Sequence, residues 1–370
     1  MTNNIKVLKS GGFGSSNFSN CVVFNIGNNV RDSLFEDIWA YGFGRKALQA
    51  FGCMRIKIRR AVVRYDYWDG SKYKPNDPRP TFSGYNTHDS IFENVIALDS
   101  APNPPDRYGD QDGIVASGNE TPVNISGSRN NKYLGSISLD NFGNGIAVSG
   151  GSGEPTTEIY FKDMISWGVP FFGFNISMND NGTVITNTTI GMAGLTGIRF
   201  DPYPQYPILN EKITQCFVYN CKGNGYYYQE SQMAQFENNT GYGNSGNNYE
   251  PEYAPAMKYF LKPEMKPGKE RGAEIIYRYV DGVLTDEHLW PWPFEDLIHE
   301  QMCNADDLAK VHRIAANGTG WEPGWCKSGK SLTKYLWEYL GNPMPPYSEI
   351  YRGSPSPNPF SAPISILLQD

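Results

Sequence analysis

A short pattern recurs about every 23 residues through the first two thirds of this 370-residue chain. Each copy places an apolar residue, a polar or charged residue, usually an Asp or Asn, and in most copies a second apolar residue. The equivalent apolar positions are Phe35, Ile58, Phe92, Phe161, Ile185 and Phe236, with weaker copies at Leu134 and Ile213. Their successive spacings are 23, 34, 42, 27, 24, 28 and 23 residues, so the shortest spacing indicates one structural unit and the longer ones that unit plus an insertion.

A unit this short has room for a strand and a turn, but for neither a hairpin nor a crossover helix. Strand residues alternate between two faces, and Asp or Asn tolerates the left-handed backbone region that a sharp turn requires. The chain must therefore wind, with each coil pairing in parallel with the coil before it. The predicted row of turn residues is Asp37, Arg60, Asn94, Ser136, Asp163, Asn187, Gln215 and Asn238.

This coil length and turn row resemble the right-handed parallel β-helix of the pectate-lyase-like superfamily, over roughly residues 15–250. The fold class we expect is all-β, a right-handed parallel β-helix (solenoid) with a small C-terminal α-helical lobe. An ordinary β-sandwich is the alternative, because it also contains many short strands, although these need not repeat their inward residue at near-constant spacing.

The alignment of coils makes a testable stack. It places Glu36, Arg59 and Glu93 beside one another on adjacent strands about 4.8 Å apart, facing outward. Alternating charges favour such a column, whereas like charges directly opposite would destabilise it.

Composition agrees with many turns and gives no general attraction to polyanions. The chain has 39 Gly, 26 Pro and 33 Asn, and 32 basic against 39 acidic residues for a net charge of −7. We therefore expect no nucleic-acid partner. No apolar run is long enough to span a membrane, so we expect no membrane insertion. The first residues lack a signal-peptide core, so we expect a chain that is either numbered from a mature end or delivered without a signal, and an extracellular, cell-surface or virion location.

The last third differs from the rest. The predicted domains are the β-helix over 1–250, a basic, Pro-containing linker or wrapping segment over 251–272, a helical and aromatic lobe over 273–345 and an extended Pro-rich tail over 346–370. A strand is expected from Glu274 to Asp281, and helices from Pro293 to about Asn304 and from Ser331 to Leu340.

This lobe, rich in Trp, is predicted to cover an end or flank of the coil, and the alternative is a sugar-binding aromatic platform. The Trp290-Pro-Trp-Pro293 helix, the loop between Cys303 and Cys326 and the terminal helix look like an element of uncharacterised bacterial β-helix proteins, which implies no known activity. The tail has the length to reach a neighbouring subunit.

Six cysteines show no spacing typical of zinc. Cys303 and Cys326 flank a short loop-rich stretch and are predicted to form a disulfide, which indicates an oxidising environment. The other four, Cys21, Cys53, Cys216 and Cys221, are predicted to be buried thiols.

Three cations alternate with apolar residues and so share a predicted outward face: Arg55, Lys57 and Arg59, with Arg60 and Arg64 nearby. Such a face suits an acidic polysaccharide, and Arg59 or Arg64 suits the base that a lyase uses beside a uronate carboxyl group. The alternative is a solvated face neutralised by Glu36, Asp37 and Glu93.

Acidic residues gather in the insertion after Ile91. Asp106, Asp110 and Asp112 offer hard oxygen ligands for Ca²⁺, the one cofactor considered, and Asp110 with Asp112 is a candidate acid/base pair. No Glu follows at calcium-loop spacing, so a polar surface turn is the alternative.

Aromatic residues form two further candidate sugar-binding groups. Tyr65, Tyr67 and Trp68 lead into an insertion, and Tyr226 and Tyr228 lie on a late coil. These side chains equally suit packing beneath an insertion.

Common catalytic motifs are missing, including the P-loop, GxSxG and HExxH. The leading hypothesis is a non-catalytic structural or adhesive protein that self-associates as a homo-oligomer or filament and binds polysaccharide or glycan on its flank. The alternative is a polysaccharide lyase or glycoside hydrolase.

Overall fold

The computed structural model of the chain describes residues 2–3, 5–15, 22–43, 46–67, 80–101, 113–117, 127–150, 155–177, 180–202, 205, 207–228, 232–246, 272–308, 322–340 and 366–368. Within these ranges the chain is an all-β parallel β-helix with a small helical part. Each full coil crosses three sheets.

The N-terminal coils are built from long strands, and the later coils from short strands. The first sheet contains β11 (Lys132–Leu134), β15 (Tyr160–Lys162), β19 (Val184–Thr186), β23 (Glu211–Thr214) and β26 (Met233–Glu237). The second sheet contains β12 (Ile137–Leu139), β16 (Ile165–Trp167), β20 (Thr189–Gly191), β24 (Phe217–Tyr219) and β27 (Thr240–Tyr242). The long strands β2 (Ile5–Ser15), β5 (Leu34–Phe43), β7 (Lys57–Tyr67) and β9 (Ile91–Leu98) run through both sheets and join them.

The third sheet closes each coil. It contains β3 (Val22–Ile26), β6 (Lys46–Phe51), β8 (Phe82–Tyr85), β10 (Ile114–Ser117), β13 (Ile146–Ser149), β17 (Phe174–Ser177), β21 (Ile198–Asp201) and β25 (Tyr226–Tyr227). Short parallel pairings occupy the corner before the first sheet: β1 (Thr2–Asn3) with β4 (Val30–Arg31), and β14 (Thr156–Thr157) with β18 (Asp180–Asn181) and β22 (Ile208–Leu209).

The predicted inward stack is confirmed, with one correction of register. Paired residues on successive strands of the first sheet are Phe35, Ile58, Phe92, Tyr133, Phe161, Ile185, Ile213 and Phe236. Tyr133 thus takes the place predicted for Leu134. Its ring lies 4.7 Å from that of Phe92 and 4.8 Å from that of Phe161, centroid to centroid.

The turn row is confirmed at seven of its eight predicted positions. Asp37, Arg60, Asn94, Asp163, Asn187, Gln215 and Asn238 all have φ between 47° and 56°. The prediction of Ser136 is wrong by one residue: Gly135 makes that turn at φ 59°. The shift arises because Tyr133, and not Leu134, pairs with Phe92 of the preceding coil. Asn and Asp suit these turns because their short side chains tolerate the left-handed region.

Two more left-handed rows turn the other corners. One contains Asp99, Asp140, Gly168, Met192, Asn220 and Gly243, and the other Asp32, Arg55, Asp89, Asn130, Glu158, Gly182 and Asn210. Buried asparagines also tie coils together. Asn239 accepts a hydrogen bond from the backbone N–H of Cys216 at 3.0 Å and donates to the carbonyl of Ile213 at 2.8 Å.

The C-terminal lobe packs on the outward face of the second sheet, and its hairpin reaches over Arg59 and Glu93 of the first sheet. It contains the hairpin β28 (Tyr277–Val280) and β29 (Val283–His288), and the helices α1 (Glu295–Met302), α2 (Gly324–Ser328) and α3 (Leu332–Tyr339). Trp290, Trp325 and Trp337 bury against a column that includes Trp39, Val62, Ile96 and Ile137. The lobe therefore covers a flank of the coil, as expected. Helix α1 begins two residues after the predicted Pro293, and Ser331 caps α3 as predicted, its Oγ accepting a hydrogen bond from the backbone N–H of Lys334.

Turn-row side chains hold the lobe at both edges of the sheet. Asn94 Oδ1 accepts from the backbone N–H of Tyr279 at 2.8 Å, and Asp163 accepts from the backbone N–H of Glu274 at 3.0 Å. At the other edge, Asp99 accepts from the backbone N–H of Trp325 at 2.6 Å and from the Tyr335 hydroxyl at 3.0 Å.

Cysteine pairing follows the prediction where the structure describes it. Cys303 and Cys326 form the disulfide, and Cys53, Cys216 and Cys221 are buried thiols. Cys21 lies outside the described residues.

The end of the tail pairs within its own chain. Strand β30 (Ile366–Leu368) runs antiparallel to Ile5–Val7 of the same chain. Among the described residues, no helix has the length and apolar character to cross a membrane.

Candidate ligand-binding surface

The predicted cationic face is neutralised by ion pairs. Arg59 is 7% exposed, and its guanidinium lies 2.8 Å from Glu93 and 2.7 Å from Asp281, which the C-terminal hairpin places over it. Asp281 also pairs with Lys57 at 2.6 Å, and hydrogen bonding to Lys57 lowers the pKa of Asp281. The predicted Glu36–Arg59–Glu93 column is present, but it is covered, so Arg59 does not face solvent as a lyase base would.

The other cations are also held by carboxylates. Arg55 bonds to Asp32 through two nitrogens at 2.6 and 2.8 Å. Arg64 is fully buried, with Asp66 at 2.5 and 3.1 Å and the Sγ of Cys326 at 3.1 Å. The candidate role of Arg64 as a catalytic base on an exposed face is therefore corrected: this side chain is buried beneath the C-terminal lobe, where it donates to the Sγ of Cys326.

Two of the predicted sugar-binding tyrosines face the interior. Tyr65 is 0% and Tyr226 2% exposed, and both belong to the core of the coil. Tyr228 is half-buried, with its ring 4.8 Å from that of Phe236. Tyr67 ends β7 with its side chain outside the described atoms, and Trp68, Asp106, Asp110 and Asp112 lie outside the described residues.

Tyr227 is the exposed member of the late tyrosine run. Side chains alternate along a strand, and Tyr226 points inward in register with Ile198, so Tyr227 must point outward. It is 50% exposed. Its partners in register on the two preceding coils are Arg199 and Asn175. An aromatic ring, a guanidinium and an amide therefore follow one another along the outside of the third sheet.

Neighbouring groups hold Arg199 in place. Its guanidinium lies 4.4 Å from the centre of the Phe172 ring and 2.8 Å from Asp201, and its side chain keeps 29% exposure. The buried Oδ1 of Asn175 has no hydrogen-bond partner among the described residues. We call Phe172, Asn175, Arg199, Asp201 and Tyr227 the binding face.

An apolar corner adjoins the binding face. Phe171, Met192, Leu195 and Tyr242 are each between 38% and 50% exposed, and with Tyr227 they make up five of the seven exposed large apolar side chains of the described residues. The backbone N–H of Leu195 donates to the carbonyl of Phe171 at 2.9 Å, so these two residues lie on neighbouring turns. Clustered exposed apolar surface marks interaction sites more often than scattered residues do.

An aromatic stack borders this corner on the second sheet. The rings of Tyr219 and Tyr242 are parallel within 4° with centroids 5.9 Å apart, and Trp167 lies 6.2 Å from Tyr219. Gly191 separates Trp167 from Tyr219 in register, and a Cβ there would meet the Trp167 ring at 2.1 Å.

The chemistry of the binding face suits recognition of polyhydroxyl compounds. A sugar ring offers C–H groups to an aromatic face and hydroxyls to charged or amide groups, which here are Arg199, Asp201 and Asn175. Glycoside hydrolysis uses two carboxyl groups. The described residues of the binding face include one carboxyl group, that of Asp201.

The sequence prediction missed this face by one residue at Tyr227 and entirely at Arg199. The sequence signal for this face was the alternation of inward and outward side chains after Gly225. It can be read once Ile198 and Tyr226 are aligned as paired inward residues. The predicted repeat covered only the first sheet, so it left the third sheet without a register.

No protein-family model and no curated protein sequence matches the chain. A solved structure similar to it is the A-module of mannuronan C-5 epimerase AlgE4 from Azotobacter vinelandii, at 14% sequence identity and a TM-score of 0.30. The match covers 56% of this chain and 62% of that one, so it spans less than two thirds of the module.

Proposed function

We propose that this chain is a non-catalytic β-helix protein that binds polysaccharide on the binding face. The carrying observation is the outward column of Asn175, Arg199 and Tyr227 on successive strands about 4.8 Å apart. An elongated ligand laid along this column meets an amide, a cation and an aromatic ring in turn, and Arg199 is already oriented by Phe172 and Asp201.

Binding to a panel of neutral and acidic polysaccharides by affinity electrophoresis tests this proposal. Tyr227→Ala and Arg199→Gln should each weaken binding to the positive polysaccharide about tenfold, equivalent to about 1.4 kcal/mol. Leu209→Ala is the matched control, because Leu209 is 43% exposed but lies in the corner before the first sheet. Wild-type mobility shifts in both variants would reject the binding face.

The alternative function is a polysaccharide lyase or glycoside hydrolase. Its predicted acidic pair, Asp110 and Asp112, comes just before β10 in the sequence, and β10 lies four coils before Tyr227 in the third sheet. Incubation with the same polysaccharides separates the functions. Ultraviolet-absorbing unsaturated products would favour a lyase, and new reducing ends without that absorbance would favour a hydrolase. Intact polysaccharide that nevertheless binds would support the non-catalytic proposal.

Self-association is the second part of the proposal. The apolar corner supports it, because an exposed apolar patch on several successive turns is stabilised by a partner surface. The Cys303–Cys326 disulfide fits an oxidising, extracellular setting, and placement on a cell surface or virion belongs to the same proposal. Light scattering after size exclusion is the test: a monomer that persists at high protein concentration would reject self-association.

A further inference from the structure

Two buried carboxyl groups meet inside the corner that precedes the first sheet. Asp180 is 1% and Glu211 0% exposed. Asp180 lies on β18, and Glu211 opens β23 one coil later. Each acts on the pKa of the other through a side-chain contact, so the two groups are neighbours. Neither belongs to the binding face.

Two buried threonines share this corner. Thr156 pairs in register with Asp180 from the preceding coil, and Thr183 and Glu211 each stand one residue before the paired Val184 and Lys212. Both threonines are 0% exposed. The six side-chain oxygens of Thr156, Asp180, Thr183 and Glu211 are buried, and none has a hydrogen bond of normal geometry within the described structure.

Among the described residues, no Lys or Arg is among the main interactions of the two carboxyl groups. The interactions that act on them come from each other, from Thr183 and from backbone amides of residues 181–183, and include no Lys or Arg of the described structure. Burial is the largest effect on both groups and raises both pKa values. A shared proton would join one oxygen of each carboxyl group, whereas a cation can be shared by the oxygens of both carboxylates and both hydroxyls.

We propose that this corner holds one hard divalent cation of the Ca²⁺ class, bound by the carboxylates of Asp180 and Glu211 with the hydroxyls of Thr156 and Thr183 as further ligands. Two negative charges match the charge of the ion, and oxygen-only ligands in this number are what Ca²⁺ prefers. The described residues contain no group of three or more His, Cys, Asp or Glu that could bind a metal, so this site rests on two carboxylates and two hydroxyls.

Metal analysis of the purified full chain tests the site. Protein dialysed against EDTA under native conditions should retain one divalent ion, because the ligands are closed off from solvent, and should lose it only when unfolded in guanidinium chloride. Protein refolded with Ca²⁺ should then melt several degrees above protein refolded with EDTA. The absence of retained metal, together with equal melting temperatures, would overturn the proposal in favour of a shared proton.

Variants separate this site from a surface calcium site. Asp180→Asn/Glu211→Gln should abolish retained metal and the effect of Ca²⁺ on refolded protein, while Asp110→Asn/Asp112→Asn should keep both. Glu158→Gln removes an exposed carboxylate one coil earlier and is the matched control. If the interior variant does not fold, retention of the ion by native wild-type protein and its release on unfolding still decide the question. Loss of retained metal in the Asp110/Asp112 variant would assign the ion there and overturn the proposal.

Discussion

Single buried hydroxyl groups in this core differ in whether they have a partner. Tyr133 and Tyr226 both point into the coil, at 0% and 2% exposure. The Tyr226 hydroxyl lies 3.2 Å from the carbonyl of Cys216 and 3.0 Å from that of Thr240. The Tyr133 hydroxyl is buried with no hydrogen-bond partner among the described residues.

Removing each hydroxyl should therefore have opposite effects. Tyr133→Phe should leave the free energy of unfolding unchanged or raise it by about 1 kcal/mol, because it removes an unsatisfied polar group. Tyr226→Phe should lower it by about 1 kcal/mol, because it leaves a backbone carbonyl without a donor. Urea unfolding of the two variants beside wild type measures both, and a destabilised Tyr133→Phe would contradict the assignment.

At the scale of elements, the disulfide joins the end of α1 to α2 across 23 residues of chain. Such a link stabilises mainly by limiting the unfolded chain. Cys303→Ser/Cys326→Ser should lower the free energy of unfolding by about 2–4 kcal/mol. Urea unfolding with and without reductant is the measurement. Reductant should destabilise wild type and leave the double variant unchanged, and equal sensitivity of both would contradict the prediction.

Elements of the first sheet could be predicted because their inward residue recurs in sequence. Phe35, Ile58 and Phe92 could be aligned by inspection, and Glu36, Arg59 and Glu93 then followed. The inward position was wrongly given to Leu134 because Gly135, and not Ser136, makes the turn of that coil. The predicted pattern required Asp or Asn at the turn and so did not include glycine. The binding face was not predicted, because the repeat was aligned only on the first sheet and gave no register for the third.

At the scale of the whole molecule, Asp99 connects coil and lobe. Burial raises its pKa to about 7, well above the value of an exposed Asp. The folded protein therefore holds the Asp99 proton more tightly than the unfolded chain does. The contribution of this proton to the free energy of unfolding is full below about pH 4 and is lost as the pH rises through about 7.

Asp99→Asn should remove that part of the pH dependence, because the amide does not titrate. Melting temperatures of wild type and variant between pH 4 and 8 check this: the wild-type value should fall relative to that of Asp99→Asn as the pH rises. Asp286→Asn, at an exposed position, is the matched control and should follow wild type. Parallel curves for wild type and Asp99→Asn would contradict the prediction.

The cover on the second sheet also has a consequence during synthesis. Trp39 donates a hydrogen bond to Gln301, 262 residues later, and Asp99 binds Trp325, 226 residues later. A ribosome makes the coil first, and domains begin to fold from the N-terminal end as they emerge. The apolar outer column from Trp39 to Ile165 therefore stands in water until the last quarter of the chain arrives. We therefore expect the nascent coil to be prone to aggregation during this interval, whose length depends on how fast residues 272–340 are translated.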